Sequence, residues 1–245
     1  MKKIALVTGG SRGLGKSMVL NLVKKGYKVV FTYKNSEQKA KELVSEDILA
    51  LKLDVSKCDS LDSFVKELKT LLAKTWKRDK IDLLVNNAGI GINTSIEQTT
   101  PEQFDELFNI HVKSPFFLTQ KLLATLKDGS SIVNISTGLT RFSLPGFGAY
   151  AMMKGAVEVM TRYLALELGK RDITVNTIAP GAIETDFGGG VVRDVAEVNQ
   201  FISAQIALGR AGRPDDIGAA LAQLISQECH WLNAQRVELS GGMRI

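Results

Sequence analysis

Seven short apolar runs punctuate the chain: Lys3–Thr8, Lys28–Tyr33, Leu49–Asp54, Ile81–Asn86, Ser131–Ser136, Ile173–Ile178 and Arg236–Leu239. They are apolar throughout rather than alternating, the pattern of strands buried on both faces of a parallel sheet. Longer amphipathic stretches separate them. The clearest sets Leu61, Phe64, Val65, Leu68, Leu71 and Leu72 on one helical face, with Asp59 or Ser60 available as the N-cap. Strand then helix, repeated along the chain, requires right-handed crossovers and helices on both faces. The expected fold class is α/β, a three-layer, doubly wound, Rossmann-type parallel sheet of about seven strands.

No linker or low-complexity stretch divides residues 1–245, so one domain is expected. The loosest segment is 187–207, opening on Phe187-Gly188-Gly189-Gly190, which reads as a mobile loop over a site. Composition narrows the partners. The net charge of +5 comes from 31 basic and 26 acidic residues mixed along helical faces. Without a basic block, nucleic acid is disfavoured and small anionic molecules are favoured. Cys58 and Cys229 are too few and too far apart for a disulfide framework or a metal site. The first apolar run stops at Thr8-Gly9-Gly10, short of an export signal. No later run approaches a membrane span. A cytoplasmic protein without metal or membrane partner is expected.

Thr8-Gly9-Gly10-Ser11-Arg12-Gly13-Leu14-Gly15 joins the first strand to the first helix. Glycines there allow a tight turn and let backbone N–H groups approach a pyrophosphate at the positive end of the helix. A tight turn needs glycine for steric reasons too, so position carries more weight than composition. The second strand ends Phe31-Thr32-Tyr33-Lys34-Asn35-Ser36, with no acid before Glu37. An acid there would hold the ribose 2′-OH of NAD; its absence, with Lys34 and Arg12 able to neutralise a 2′-phosphate, points to NADP. Expected cofactor contacts are Gly9, Ser11, Arg12, Gly13, Leu14, Gly15, Tyr33 and Lys34.

Tyr150-Ala151-Met152-Met153-Lys154 opens a helix running to about Leu168. A spacing of four puts Tyr150 and Lys154 on one face. A free phenol, with a pKa of about 10, needs a neighbouring cation to work at neutral pH, and Lys154 supplies one. Such a pair alone is as often a packed ring beside a solvated amine. Here it belongs to an ordered series: the glycine turn, Asn86-Asn87-Ala88-Gly89, Tyr150 with Lys154, Pro180-Gly181, Arg210-Ala211-Gly212-Arg213-Pro214 and Ser240-Gly241-Gly242. Over the whole chain this series closely resembles the short-chain dehydrogenase/reductase family, with a likeness to its 3-oxoacyl-carrier-protein reductases.

The resemblance implies that Tyr150 is the general acid of carbonyl reduction, or the base of the reverse reaction. Lys154 would bind the nicotinamide ribose and lower the tyrosine pKa. It also implies Asp54 and Val55 beside adenine, and Asn87, Ala88 and Gly89 along the dinucleotide. Pro180, Gly181, Ile183 and Thr185 would hold the nicotinamide end. A homotetramer is implied, with the helix from Ala149 and the C-terminal strand as interfaces.

Two positions depart from the family pattern. Its substrate-holding serine falls at Thr137, with Ser136 beside it; adjacent strand residues point opposite ways, so Thr137 takes the role and Ser136 is the alternative. Its asparagine, which links the lysine to solvent, falls at His111 in Phe108-Asn109-Ile110-His111-Val112. A histidine can also relay a proton, with sensitivity to pH; packing or a backbone bond is the plainer alternative.

The leading expectation is NADPH-dependent reduction of a carbonyl compound to a secondary alcohol. The alternatives are oxidation of a secondary alcohol, sugar or steroid, and a non-catalytic dinucleotide-binding regulator supported only by positions 111 and 137. An acyl-carrier partner would need a basic patch that the sequence does not display. Substrate choice is expected in Leu139–Phe147 and Phe187–Ala207, where Phe142, Leu144, Phe147, Phe187, Val191 and Val192 line a pocket or pack a lid.

Overall fold

The computed structural model describes residues 1–245. Its strands are β1 (Ile4–Val7), β2 (Lys28–Tyr33), β3 (Ile48–Lys52), β4 (Ile81–Asn86), β5 (Leu126–Ile135), β6 (Thr174–Pro180) and β7 (Arg236–Leu239). All pair in parallel in one sheet, in the order β3-β2-β1-β4-β5-β6-β7. The order reverses between β1 and β4, which opens a crevice beyond their carboxyl ends, where ligands of open α/β sheets bind.

The helices are α1 (Gly13–Lys24), α2 (Glu37–Lys41), α3 (Leu61–Trp76), α4 (Pro101–Phe108), α5 (Ser114–Leu122), α6 (Gly148–Leu168), α7 (Val191–Asp194), α8 (Ala196–Ser203) and α9 (Pro214–Leu224). Apolar strands with a period of two feed two cores. Ile4 and Leu6 of β1 face one, beneath α3, α5 and the end of α6. Ala5 and Val7 face the other, beneath α1 and α9. No helix is long and apolar enough to cross a membrane.

Two expectations need correction. β5 starts at Leu126, not Ser131: buried Leu126 pairs with Ile81 of β4, and the exposed Lys127–Gly129 that follow fill a register shift before Ser131 pairs with Leu83. Segment 187–207, read as loop, is a short turn at Phe187–Gly190 followed by α7 and α8. Ile202 and Ile206 anchor it against Ala211 and Met243, a small core that single residues in the linear pattern did not announce.

Between α4 and α5 the chain winds as a π-helix over Asn109–Lys113. Thr100 starts α4 through a reciprocal capping box with Gln103, so the helix enters in fixed register. The wider turn of the π segment then shifts the angular position of its side chains and brings His111 inward, to 1% exposure.

Candidate active site

A buried polar ladder fixes the rotation of α6. Asn86 Nδ2 donates to Asn134 Oδ1 (2.8 Å) and to Thr119 Oγ1 (3.1 Å). Asn134 Nδ2 and the Thr177 hydroxyl each donate to Thr161 Oγ1 at 2.8 Å. β5 and β6 are thereby stitched to α6, and β4 to β5 and α5; a buried amide or hydroxyl left unpaired by a shift would cost about 1–3 kcal/mol. Tyr150 and Lys154, on the turns before Thr161, are held at the carboxyl edge of the sheet.

Tyr150 and Lys154 are both buried. Lys154 Nζ donates to the Ile135 carbonyl at 2.7 Å and lies 5.8 Å from the centre of the Tyr150 ring. Burial pushes the Lys154 ammonium down to about 7. Burial raises the Tyr150 phenol above its ordinary value, opposed by a hydrogen bond with Thr137. The tyrosine is thus a phenol at neutral pH, the form required of an acid. Its ring meets those of His111 (5.2 Å), Phe187 (5.5 Å) and Phe147 (6.4 Å).

The two hydroxyls at the end of β5 part company. Ser136 Oγ donates to Glu158 Oε1 at 2.7 Å, away from Tyr150. Thr137 Oγ1 accepts from Leu139 N at 3.3 Å and is near enough to the phenol to oppose the rise in its pKa. Sequence reasoning missed the residues that hold this corner. Glu158 Oε1 also accepts from Thr140 Oγ1 (2.7 Å) and Arg236 Nε (2.9 Å), and an Arg236 amino group donates to the Thr137 carbonyl at 3.1 Å. Glu158 lies one turn beyond Lys154 on α6, which was the only local signal.

His111 Nε2 lies 2.8 Å from the Ile90 carbonyl. A carbonyl only accepts, so Nε2 carries the hydrogen and Nδ1 is an acceptor; Nδ1 has no partner in the protein. Burial, then the charge of Lys154, push His111 well below its ordinary pKa, with the Ile90 carbonyl opposing. It is therefore neutral at physiological pH, and the pH sensitivity expected of an ordinary histidine does not apply.

At the β1–β4 crevice, Thr8 Oγ1 accepts from the Asn87 and Ala88 amides at 2.9 and 3.0 Å. Asn87 Nδ2 returns a bond to the Thr8 carbonyl at 2.8 Å, fastening the two loops together. A Cβ on Gly9 would come within 3.0 Å of Ala88, one on Gly10 within 2.5 Å of Phe31, and one on Gly15 would strike the Gly9 carbonyl. One on Gly89 would press on His111. These glycines serve packing. Gly13 shares the positive φ of Gly9 (+53° against +68°), but its nearest neighbour is Thr185 at 3.6 Å, an ordinary contact. It opens α1, whose first turn holds no acid. The free amides of Gly13, Leu14 and Gly15 thus fit an anionic pyrophosphate.

Around this cradle the other expected contacts are spread. Lys34 is 3.2 Å from Asp54, and Arg12 is 3.7 Å from Asp186. Tyr33 and Val55 are half-buried, packed against opposite cores, and Ser11 is buried in the turn. Gly181, after Pro180, donates to the Leu239 carbonyl at 3.0 Å. Ile183 bridges to Gly212, and Thr185 Oγ1 accepts from the Phe187 amide at 3.2 Å. Phe142 and Val192 pack on the α8 core, not at Tyr150, and Phe142 lies between Arg141 and Arg244.

The family described as enoyl-(acyl carrier protein) reductase matches residues 9–244. A protein of Pestalotiopsis microspora named short-chain dehydrogenase/reductase GME11373 is 34% identical, over 98% of this chain and 94% of that one. The chain belongs to the short-chain dehydrogenase/reductase family. Hydroxynaphthalene reductase-like protein Arp2 of Metarhizium brunneum is also 34% identical, with the same coverage of both chains. The crystal structure of the angucycline C-6 ketoreductase LanV with bound NADP superposes with a TM-score of 0.93 at 32% identity, covering 99% of this chain and 95% of that one. As a member of this family the chain is an NADP-dependent oxidoreductase that reduces a carbonyl compound to the alcohol.

Proposed function

We propose that the chain reduces a ketone carried on a fused aromatic ring system, with Tyr150 as the proton donor. The observation that carries this reading is the aromatic edge of Phe147 and His111 beside the Tyr150 phenol. Stacking against such rings adds about 0.5–1.5 kcal/mol per pair for a planar substrate. Relatives named for hydroxynaphthalene and angucycline substrates support it. NADPH, when bound, supplies the hydride. Thr137 Oγ1 holds the substrate oxygen, Tyr150 delivers the proton to it, and the Lys154 ammonium offsets the charge left on the phenolate.

NADPH oxidation should be fastest with tetralones and hydroxynaphthalenes, with KM at least tenfold below that for acyclic ketones. A preference for an acyclic β-ketoacyl thioester would refute the reading and favour an acyl-carrier substrate.

Thr137→Ala should lower kcat/KM about 100-fold, the scale of one donor to a developing oxyanion. Ser136→Ala should change it less than fivefold, since that hydroxyl is committed to Glu158. The reverse ranking would move the role to Ser136.

We also assign His111 as a neutral hydrogen-bond acceptor on the proton route to Lys154, acting through Nδ1. His111→Leu should lower kcat about tenfold without introducing or removing a pH limb near 6.5, less than the roughly 10²–10⁴ of a direct proton donor because it acts through Lys154. An unchanged rate would sink this role.

The assembly we propose is a homotetramer in the cytoplasm. Met152, Val159, Tyr163 and Leu166 form an exposed apolar stripe on α6, and β7 is an edge strand, two surfaces suited to a second copy. Both cysteines are free thiols, in keeping with a reducing compartment.

A further inference from the structure

Asp186 stands where two ends of the site meet. Its carboxylate is 2.6 Å from Arg193 Nη1 and 3.7 Å from Arg12 Nη1. Lys39 of α2, which sequence reasoning passed over, is near enough to act on it as well. Arg12 belongs to the glycine-rich turn and Lys39 to the helix after β2, on the side where a 2′-phosphate is expected. A lid carboxylate therefore occupies cations suited to a phosphate.

The next residue reaches the other end. The Phe187 ring lies 5.5 Å from that of Tyr150, tilted by 55°. It rests on the bare backbone of Gly91, where a Cβ would come within 2.6 Å of the ring. Beyond it, Gly188, Gly189 and Gly190 have φ of +61°, +79° and +79°, a run that only glycine adopts without strain. Two adjacent residues thus tie the adenosine end of the cleft to the acid, followed by a hinge.

We propose that Asp186 is a cofactor-specificity residue: it competes with the 2′-phosphate for Arg12, and its displacement moves Phe187 off Tyr150. The inference rests on the NADP reading. A phosphate carries more charge than a carboxylate and meets arginine in two bonds, so it wins the contest. The latch must be weak to be released, and exposed ion pairs of this kind are. NAD, lacking that phosphate, leaves the lid on the acid.

The test uses 2′,5′-ADP and 5′-ADP, neither of which carries a nicotinamide to touch the lid. In Phe187→Trp, read against the Trp76 and Trp231 background of the unsubstituted protein, 2′,5′-ADP should raise quenching by acrylamide and 5′-ADP should not. In the unsubstituted protein, 2′,5′-ADP alone should speed tryptic cleavage at Arg193. Asp186→Asn should bind 2′,5′-ADP about two- to fivefold tighter, the scale of one exposed pair. Its binding of 5′-ADP should stay unchanged and its Arg193 cleavage should be fast without ligand. Tight 2′,5′-ADP binding that moves neither the tryptophan nor the cleavage rate overturns the inference alone. If 2′,5′-ADP binds no tighter than 5′-ADP in both proteins, the NADP reading falls with it.

Discussion

Tyr150→Phe lowers kcat for NADPH-dependent ketone reduction by about 10³- to 10⁴-fold, with little change in NADPH affinity. Positioned acid catalysis contributes about 10²–10⁴, and the upper part of that range applies because no second acid is at hand. Thr137 can donate to the substrate oxygen but a hydroxyl is too weak an acid to give up its proton, Lys154 is committed to the Ile135 carbonyl, and His111 is neutral with its only hydrogen committed to Ile90. The ring survives the substitution, so the packing with His111, Phe187 and Phe147 is retained and folding should be unaffected. The measurement is single-turnover NADPH oxidation with a saturating ketone, alongside cofactor binding by fluorescence. A loss under tenfold would show that another group protonates the substrate.

Lys154→Met has the second largest effect, about 10²- to 10³-fold in kcat/KM, and it carries a pH signature. Burial brings the ammonium from 10.5 to about 7. Below that pH Lys154 is charged and can offset the developing phenolate; above it the charge is lost. For reduction, kcat/KM of the unsubstituted protein should therefore fall as pH rises through about 7. Lys154→Met should lack this limb, and Lys154→Arg, charged throughout, should lack it while keeping part of the rate. The same shift has a stability consequence. The unfolded lysine binds its proton more tightly than the folded one, so stability rises with pH between about 7 and 10.5 and the burial penalty is complete below 7. Lys154→Met relieves that penalty but leaves the Ile135 carbonyl without its donor, so Tm at pH 7 should move little. A collapse of Tm would attribute the lost rate to unfolding, and a limb that persists in Lys154→Met would assign it to another group.

The strands were readable because residues buried on both faces leave unbroken apolar runs. The start of β5 is hidden for the opposite reason: Lys127, Asp128 and Gly129 are exposed and polar and span a register shift, so only the pairing of Leu126 with Ile81 of β4 extends the strand back to it. Tyr150 and Lys154 were legible because a helix converts a spacing of four into adjacency. The glycine-rich turn was legible as a junction, but only packing separates Gly9, Gly10 and Gly15, where a side chain would clash, from Gly13, where it would make only ordinary contact with Thr185.

What distance in sequence concealed was the orientation of side chains. Strand alternation says that Ser136 and Thr137 diverge, but not which one faces the phenol. Glu158 and Arg236 decide that, from 22 and 99 positions away along the chain. His111 was identifiable as a departure from the family pattern, yet its inward turn comes from a π-helix and its neutrality from burial beside Lys154. Arg12 and Lys34 were recognisable as cations, while their carboxylate partners Asp186 and Asp54 are set by folding. Local spacing and hydrophobic period lie within a few residues and so survive in the linear chain. Partners, burial and charge state depend on which distant segments arrive at the same place, and only the packed sheet and its helices bring them there.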